Sequence, residues 1–307
     1  GALNKGCKYA IIEVTSQGVA RHIHEGIEWD AAVFTNIHPE HIESHGSFEN
    51  YREAKLSFFR YVAASPKPKK MFFISRDDEN SELFIKAAGD NEKHFFKGTF
   101  IKANYAAAEQ VGRAFNISEE IIQSALAGFP GLPGRMETVK ANPYKVVIDY
   151  AHTPDSLEEA YKSLRLDMNI ESVGKGMGVG KMICVLGSAG GGRDKWKRPK
   201  MGEVAGKYCD EVIITNEDPY DENPMGIIDE VAAGVLDKEV IKILDREEAI
   251  EKAIAFAGAG DVVIMTGKGS EKYIHLSDGR KLEWNERETV ERLIKEKEVR
   301  EAESGAQ

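Results

Sequence analysis

The sequence predicts an α/β fold of doubly wound parallel sheets in two domains, on three observations. Short runs rich in β-branched and aromatic residues alternate with longer amphipathic stretches. Most of the short runs are continuously apolar, as in parallel strands covered on both faces. One Gly/Pro-rich break, Gly128-Phe-Pro-Gly-Leu-Pro-Gly134, interrupts every period near the middle of the chain.

In chain order the strand candidates are Tyr9–Val14, Ala31–Thr35, Met71–Ser75, Lys145–Asp149, Met182–Leu186, Glu211–Thr215 and Asp261–Thr266. Between them the helix candidates are Phe48–Ala64, Asn104–Phe115, Ser118–Ala127, Asp155–Leu166, Asp245–Ala257 and Glu286–Lys297. The break sets a domain boundary, giving residues 1–133 and 134–307. Gly174–Gly180 is expected to be a surface connection and Pro66–Lys70 a solvated turn. The charged tail from about Lys295 is expected to fray.

Composition narrows the function. A chain of 307 residues exceeds one ordinary core, and 42% hydrophobic with 30% charged residues is normal for a soluble globular protein. A formal charge of −10 argues against a nucleic-acid or anionic-membrane binder, so an anionic ligand needs local basic groups. No apolar run approaches the ~20 residues of a membrane span. Cys7, Cys184 and Cys209 form no CxxC or metal spacing and are expected to be reduced thiols in a cytoplasmic protein. The opening Gly-Ala-Leu-Asn-Lys-Gly has neither Met nor a signal pattern and suggests a cut.

The strongest chemical signal is Val147-Ile-Asp-Tyr-Ala-His-Thr-Pro-Asp-Ser156. A buried strand ends at Asp149 and a helix starts near Pro154 with Thr153 as its cap, so Asp149 and His152 fall where open α/β sheets bind ligands. A carboxylate there can accept both hydroxyls of a ribose; a merely structural capped turn is the alternative. Further on, Gly187-Ser-Ala-Gly-Gly-Gly-Arg193 follows a strand and offers backbone N–H groups to an anion, but lacks the Gly-Lys-Ser/Thr ending of a P-loop.

Asp149-Tyr-Ala-His-Thr-Pro-Asp-Ser156 closely resembles the start of the C-terminal domain in the tripeptide-synthetase branch of the Mur ligases, and the resemblance runs along nearly the whole chain. Glu13-Val-Thr-Ser-Gln17 resembles that family's Glu-Val-Ser-Ser-His, and Thr35–Gly46 resembles its Thr-Asn-Leu-x-x-Asp-His-Leu-Asp-x-His-Gly, with Tyr51-Arg-Glu-Ala-Lys55 at the expected spacing. The resemblance implies that Glu13 and His41 hold Mg2+ and that Lys55 is carbamylated to help position a second one, as suits a hard cation with oxygen ligands. Thr15, Ser16 and Arg21 would face the muramyl substrate; the family's arginine falls at Ile23 here. Asn104 would contact the adenine of ATP, with a helix cap as the alternative. Arg135, in Gly134-Arg-Met-Glu137, would reach the ATP phosphates on domain closure, with an interdomain salt bridge as the alternative. Asp149 and His152 would complete the nucleotide set.

The arginine matching Arg193 binds the α-carboxylate of the incoming amino acid, a task for a bidentate fork. In family members specific for diaminopimelate the loop at 217–220 reads Asp-Asn-Pro-Arg; here Asp218 and Tyr220 take the Asn and Arg places. Thr266-Gly-Lys-Gly-Ser-Glu271 matches Ala-Gly-Lys-Gly-His-Glu, with Gly267 and Glu271 lining the acceptor pocket. With Tyr220 for the cation and Glu217, Asp218 and Glu271 nearby, the expected acceptor is lysine- or ornithine-like, unless Lys268 or Arg280 folds in and reverses the sign.

The resemblance thus implies an incomplete central ATPase-type domain and a C-terminal Rossmann-like domain. The implied reaction is ATP-dependent addition of the third amino acid to UDP-N-acetylmuramyl-L-Ala-D-Glu through an acyl phosphate. No Gly-x-x-Gly-Lys-Ser/Thr occurs in the chain, so this fragment alone is expected to be inactive. The alternatives are an amide ligase with another acceptor, like cyanophycin or folylpolyglutamate synthases, or a non-catalytic nucleotide- or amino-acid-binding module. The former usually carry Asn-Pro at Thr153-Pro154, which weighs against them.

Overall fold

The computed structural model describes residues 5–40, 42–98, 101–140, 142–175 and 180–305. Two compact units divide between Phe129 and Pro130. The first contains α1 (Ser16–Ala20), β1 (Ala31–Phe34), α2 (Ile42–His45), α3 (Phe48–Ala63), β2 (Met71–Ser75), α4 (Ser81–Ala87), β3 (Glu92–Phe96), α5 (Ile101–Ala114) and α6 (Glu119–Ala127). Its sheet has the order β1-β2-β3, all parallel. Met71-Phe-Phe-Ile-Ser75 is buried at every position because it is the central strand. Phe34, Phe58, Phe59, Phe72 and Phe84 fill the core on one side, with Phe34 and Phe84 stacked 3.7 Å apart.

The second unit contains β4 (Glu137–Lys140), β5 (Lys145–Ile148), α7 (Pro154–Lys175), β6 (Met182–Leu186), α8 (Lys197–Tyr208), β7 (Glu211–Ile214), α9 (Pro224–Ala232), β8 (Val240–Lys242), α10 (Arg246–Phe256), β9 (Val262–Met265), the hairpin β10 (Tyr273–His275) and β11 (Lys281–Glu283), and α11 (Glu286–Gly305). Its six-stranded sheet runs β4-β5-β9-β6-β7-β8, parallel except for β4 against β5. Strand β9 lies between β5 and β6, so the carboxyl ends of β5, β9, β6 and β7 open side by side where winding reverses.

Four expectations need correction. Tyr9–Val14 forms no strand: it has no ladder partner among the described residues, Ile11 is 98% exposed, and apolar content alone does not satisfy a strand's backbone. The charged tail does not fray at Lys295 but continues α11 to Gly305, since Glu, Lys and Arg are good helix formers and Arg292 pairs with Glu296 four residues on. Asn104 does not open its helix but lies one turn inside α5. Cys184 and Cys209 are not reduced thiols but a disulfide joining β6 to the residue that caps α8; only Cys7 is free. Spacing gave no sign of this pair, because sheet topology, not sequence, brings β6 beside the end of α8. No helix among the described residues is long and apolar enough to cross a membrane.

Candidate active site

At the end of β5, Asp149 is buried, and its carboxylate accepts the backbone N–H of Met136 (2.7 Å) and of Ala151 (2.8 Å). Burial pushes this carboxyl up, while those two N–H groups and the positive charge of Arg135 pull it back. Arg135 is exposed and lays its guanidinium over the Tyr150 ring at 4.2 Å. Nδ1 of His152 donates to the Tyr150 carbonyl (2.9 Å), and the buried Lys197 donates to the His152 carbonyl (2.9 Å). Thr153 caps α7 as the sequence predicts, accepting the Ser156 N–H (3.3 Å), and the Ser156 hydroxyl accepts the Thr153 N–H in return (3.1 Å).

Beyond β6 the loop 187–196 carries Arg193, which is exposed, 3.5 Å from the Tyr220 hydroxyl and 5.9 Å above its ring. Tyr220 has φ +50°, stacks on His275 at 5.1 Å and covers Gly191, where a Cβ would sit 2.7 Å from its ring. A left-handed tyrosine held between two loops is the kind of local strain found at binding sites. The Ser188 hydroxyl is buried without a hydrogen-bond partner among the described residues.

Beyond β7 and β9 lies a buried charged cluster. Lys268 is fully buried and donates to Asp218 Oδ1 (2.9 Å) and Glu271 Oε2 (2.6 Å), while Asp218 Oδ1 also accepts the His275 N–H (2.8 Å). Glu217 is 5% exposed, and its Oε2 has no partner among the described residues. Burial raises the Glu217 carboxyl, only partly offset by Lys197 and His152. Gly267, at φ +103°, is where a Cβ would stand 2.4 Å from Glu217 Oε2, so a side chain there would push the Glu217 carboxylate aside and strain the backbone. Of the two candidate cations Lys268 folds in, whereas Arg280 is exposed and its side chain bonds Ser277.

Arg246 escaped the sequence analysis. At the start of α10 it is 2% exposed, ion-paired to the buried Glu286 (2.6 and 2.9 Å), and donates to the carbonyls of Thr266 (2.8 Å) and Asn216 (3.3 Å). It therefore pins the first residues of the loops that follow β7 and β9. A charged residue in the first turn of a helix normally faces solvent, and nothing in its spacing distinguishes Arg246 from Glu247 beside it.

In the first unit, Thr15 caps α1 by accepting the Gly18 N–H (3.1 Å), the buried Ser16 hydroxyl lies 3.1 Å from His45 Nε2, and Arg21 is exposed at the end of that helix. Lys55 on α3 sits over the Tyr51 ring at 5.2 Å. Burial holds its ammonium below the usual lysine range, with the Glu40 and Glu13 carboxylates pulling the other way. Glu13 and Asn104 are exposed. His41 lies outside the described residues, and among those described no group of three His, Cys, Asp or Glu side chains is placed to hold a metal.

Residues 1–129 match the Mur ligase middle domain, and residues 134–269 match the Mur ligase glutamate ligase domain. The chain is 32% identical to the UDP-N-acetylmuramoyl-L-alanyl-D-glutamate–2,6-diaminopimelate ligase of Thermosynechococcus vestitus, over 96% of this chain and 65% of the relative. It is 33% identical to the UDP-N-acetylmuramyl-tripeptide synthetase of a Roseiflexus species, over 95% of this chain and 65% of the relative. The chain thus spans just under two thirds of these relatives' length. A solved structure of a UDP-N-acetylmuramoyl-L-alanyl-D-glutamate–2,6-diaminopimelate ligase superposes with a TM-score of 0.54 at 25% identity, over 96% of this chain and 66% of that one.

Proposed function

The chain belongs to the Mur ligase family, and from that premise we propose that it supplies the acceptor-binding and metal-side residues of a ligase adding the third amino acid to UDP-N-acetylmuramyl-L-alanyl-D-glutamate. In that reaction ATP phosphorylates the dipeptide's terminal carboxylate. The amino group of a free amino acid attacks the acyl phosphate, and phosphate leaves as the amide forms. What supports the reading above all is the convergence of Asp149, the Arg193 loop, Asp218 and Gly267–Glu271 at neighbouring strand ends of one sheet.

Arg193 holds the α-carboxylate of the acceptor; Asp149, His152, Arg135 and Asn104 serve the nucleotide; Thr15, Ser16 and Arg21 serve the muramyl substrate. Glu13, His41 and a carbamylated Lys55 hold magnesium. What supports this is Lys55, whose burial favours the neutral amine that carbamylation needs, with the charges of Glu40 and Glu13 acting on it. Magnesium, when bound, neutralises the crowded phosphate oxygens. None of these 307 residues supplies a P-loop for the ATP phosphates, because no Gly-x-x-Gly-Lys-Ser/Thr occurs among them.

For the acceptor we favour a lysine- or ornithine-like amino acid. Lys268 folds in but is one cation against Glu217, Asp218 and Glu271; it pairs with the last two and leaves Glu217 with a buried oxygen that has no partner among the described residues, while Tyr220 offers no full charge to a distal carboxylate. The relatives' names make diaminopimelate the rival outcome. A chain that also carries a Gly-Lys-Thr loop ahead of Glu13 should release phosphate only with dipeptide nucleotide and amino acid both present. Release indifferent to the amino acid refutes the ligase reading. Higher kcat/KM for diaminopimelate than for lysine refutes the acceptor choice, and Tyr220→Arg should move preference toward diaminopimelate.

A further inference from the structure

Tyr150 stands between two groups that the proposed function assigns to different ligands. Its ring face carries the Arg135 guanidinium at 4.2 Å, on the nucleotide side. Its hydroxyl donates to Glu271 Oε1 at 3.0 Å, on the acceptor side. The other oxygen of that carboxylate takes the Lys268 ammonium at 2.6 Å, Lys268 reaches Asp218 at 2.9 Å, and Asp218 Oδ1 accepts the His275 N–H at 2.8 Å. The Asp218 carbonyl in turn accepts the Gly190 N–H at 2.7 Å, which enters the loop bearing Arg193. One contiguous chain of contacts therefore runs from Arg135 to the Arg193 loop, and Tyr150 joins Arg135 to Glu271 within it.

Packing closes the same path sterically. A Cβ on Gly269 would meet Tyr150 Cβ at 2.8 Å and the Gly134 carbonyl at 2.9 Å. A Cβ on Gly134 would meet the Ser270 nitrogen at 2.3 Å. The segment bearing Arg135 and the loop bearing Lys268 thus press on each other with Tyr150 wedged beside them, so neither shifts without the other.

We infer that Tyr150 is a positioning residue that couples the Arg135 segment to the acceptor loops, so that ordering one side orders the other. The identity of the two ligands rests on the proposed function; the mechanical coupling does not. Tyr150→Phe keeps the ring under Arg135 and deletes only the bond to Glu271; Tyr150→Leu deletes both. Amide hydrogen exchange reads the coupling without ligand. The reporters are the Glu271 N–H (to the Lys268 carbonyl), the His275 N–H (to Asp218) and the Met136 N–H (to Asp149), with the β9 ladder as control.

Tyr150→Phe should speed exchange at Glu271 and His275 about tenfold, the order expected for losing a hydrogen bond to a charged group, and leave Met136 and β9 unchanged. Tyr150→Leu should speed Met136 as well. Unchanged Glu271 and His275 in the Phe variant, or equal acceleration of β9, overturns the inference. Titration with ADP plus Mg2+ and with L-lysine or meso-diaminopimelate adds a second readout. In the wild type each ligand should change the other's affinity by a common factor, and in Tyr150→Phe that factor should fall several-fold toward one, the packing of Gly134 on Gly269 carrying what is left. Coupling undiminished in Tyr150→Phe also overturns the inference. Absence of all binding refutes the ligand assignment instead, and leaves the exchange result to decide the coupling.

Discussion

Replacing Arg246 by Met tests how the loops after β7 and β9 are held. The guanidinium makes four hydrogen bonds, two to Glu286 and one each to the carbonyls of Thr266 and Asn216, in a site where Arg246 and Glu286 are 2% and 1% exposed. Methionine fills much of the volume but leaves Glu286 buried with the Trp284 indole N–H (2.6 Å) as its remaining side-chain donor. Removing one member of a buried pair costs about 3–5 kcal/mol, because the other charge stays uncompensated. At about 2–4 °C per kcal/mol for a unit of this size, melting of the second unit should fall by roughly 6–20 °C. The double variant Arg246→Met/Glu286→Leu removes the stranded charge and should recover most of that loss. Differential scanning calorimetry of the wild type, both single variants and the double variant makes the cycle. A single-variant loss below about 1 kcal/mol, or a double variant no better than Arg246→Met, would show that the pair does not anchor the loops.

Three further outcomes are expected. Cys184→Ala/Cys209→Ala opens a covalent loop of sequence separation 25 and should lower stability by about 3–4 kcal/mol in the chain-entropy account, read as a lower denaturant midpoint; titration of the denatured, unreduced wild type should find Cys7 alone reactive. Glu217→Gln should stabilise the chain at pH 7 by about 1–3 kcal/mol. The Glu217 carboxyl is raised by burial, so the fold loses stability as pH rises through its folded value; the advantage of Gln should vanish below the ordinary value of 4.5, and an advantage independent of pH would contradict the assignment. Intact-mass measurement in bicarbonate should find the mass of one carbon dioxide on Lys55, absent in Lys55→Arg, and its absence from the wild type removes the carbamate from the proposed metal site.

Much of the fold is legible because burial on both faces leaves a plain mark. Met71–Ser75 and Met182–Leu186 are central strands, and their unbroken apolar runs give their ends to the residue. Edge elements leave no such mark. Glu92–Phe96 and Val240–Lys242 lie at sheet edges with polar or half-exposed residues, so their sequences resemble loops. Tyr9–Val14 errs in the opposite direction: its composition suits a strand, but a ladder needs a neighbour. At the site, residues on glycine-rich turns and strand ends were readable from local pattern. Arg246 and Tyr150 were not, since each acts on loops far away in sequence, at Thr266 and at Glu271.

Lys268 changes the charge of the pocket around Asp218 and Glu271. On sequence, Glu217, Asp218 and Glu271 form an acidic neighbourhood awaiting a cation. In the fold Asp218 already has one at 2.9 Å, a gross attraction of roughly 6 kcal/mol at an effective dielectric of 20. An incoming ammonium gains nothing from Asp218 unless it displaces Lys268, which has no exposed surface to retreat along. Glu271 is split between Lys268 and Tyr150. The carboxyl left to reward a cationic side chain is Glu217, which is also the one whose burial penalises its own charge. An ammonium that reached it would remove that penalty, so a diamino acid would bind more tightly than an uncharged analogue of the same length. Glu217→Gln should therefore cost affinity for lysine while raising stability, and a Gln variant that binds lysine as well as the wild type would move the distal site away from Glu217.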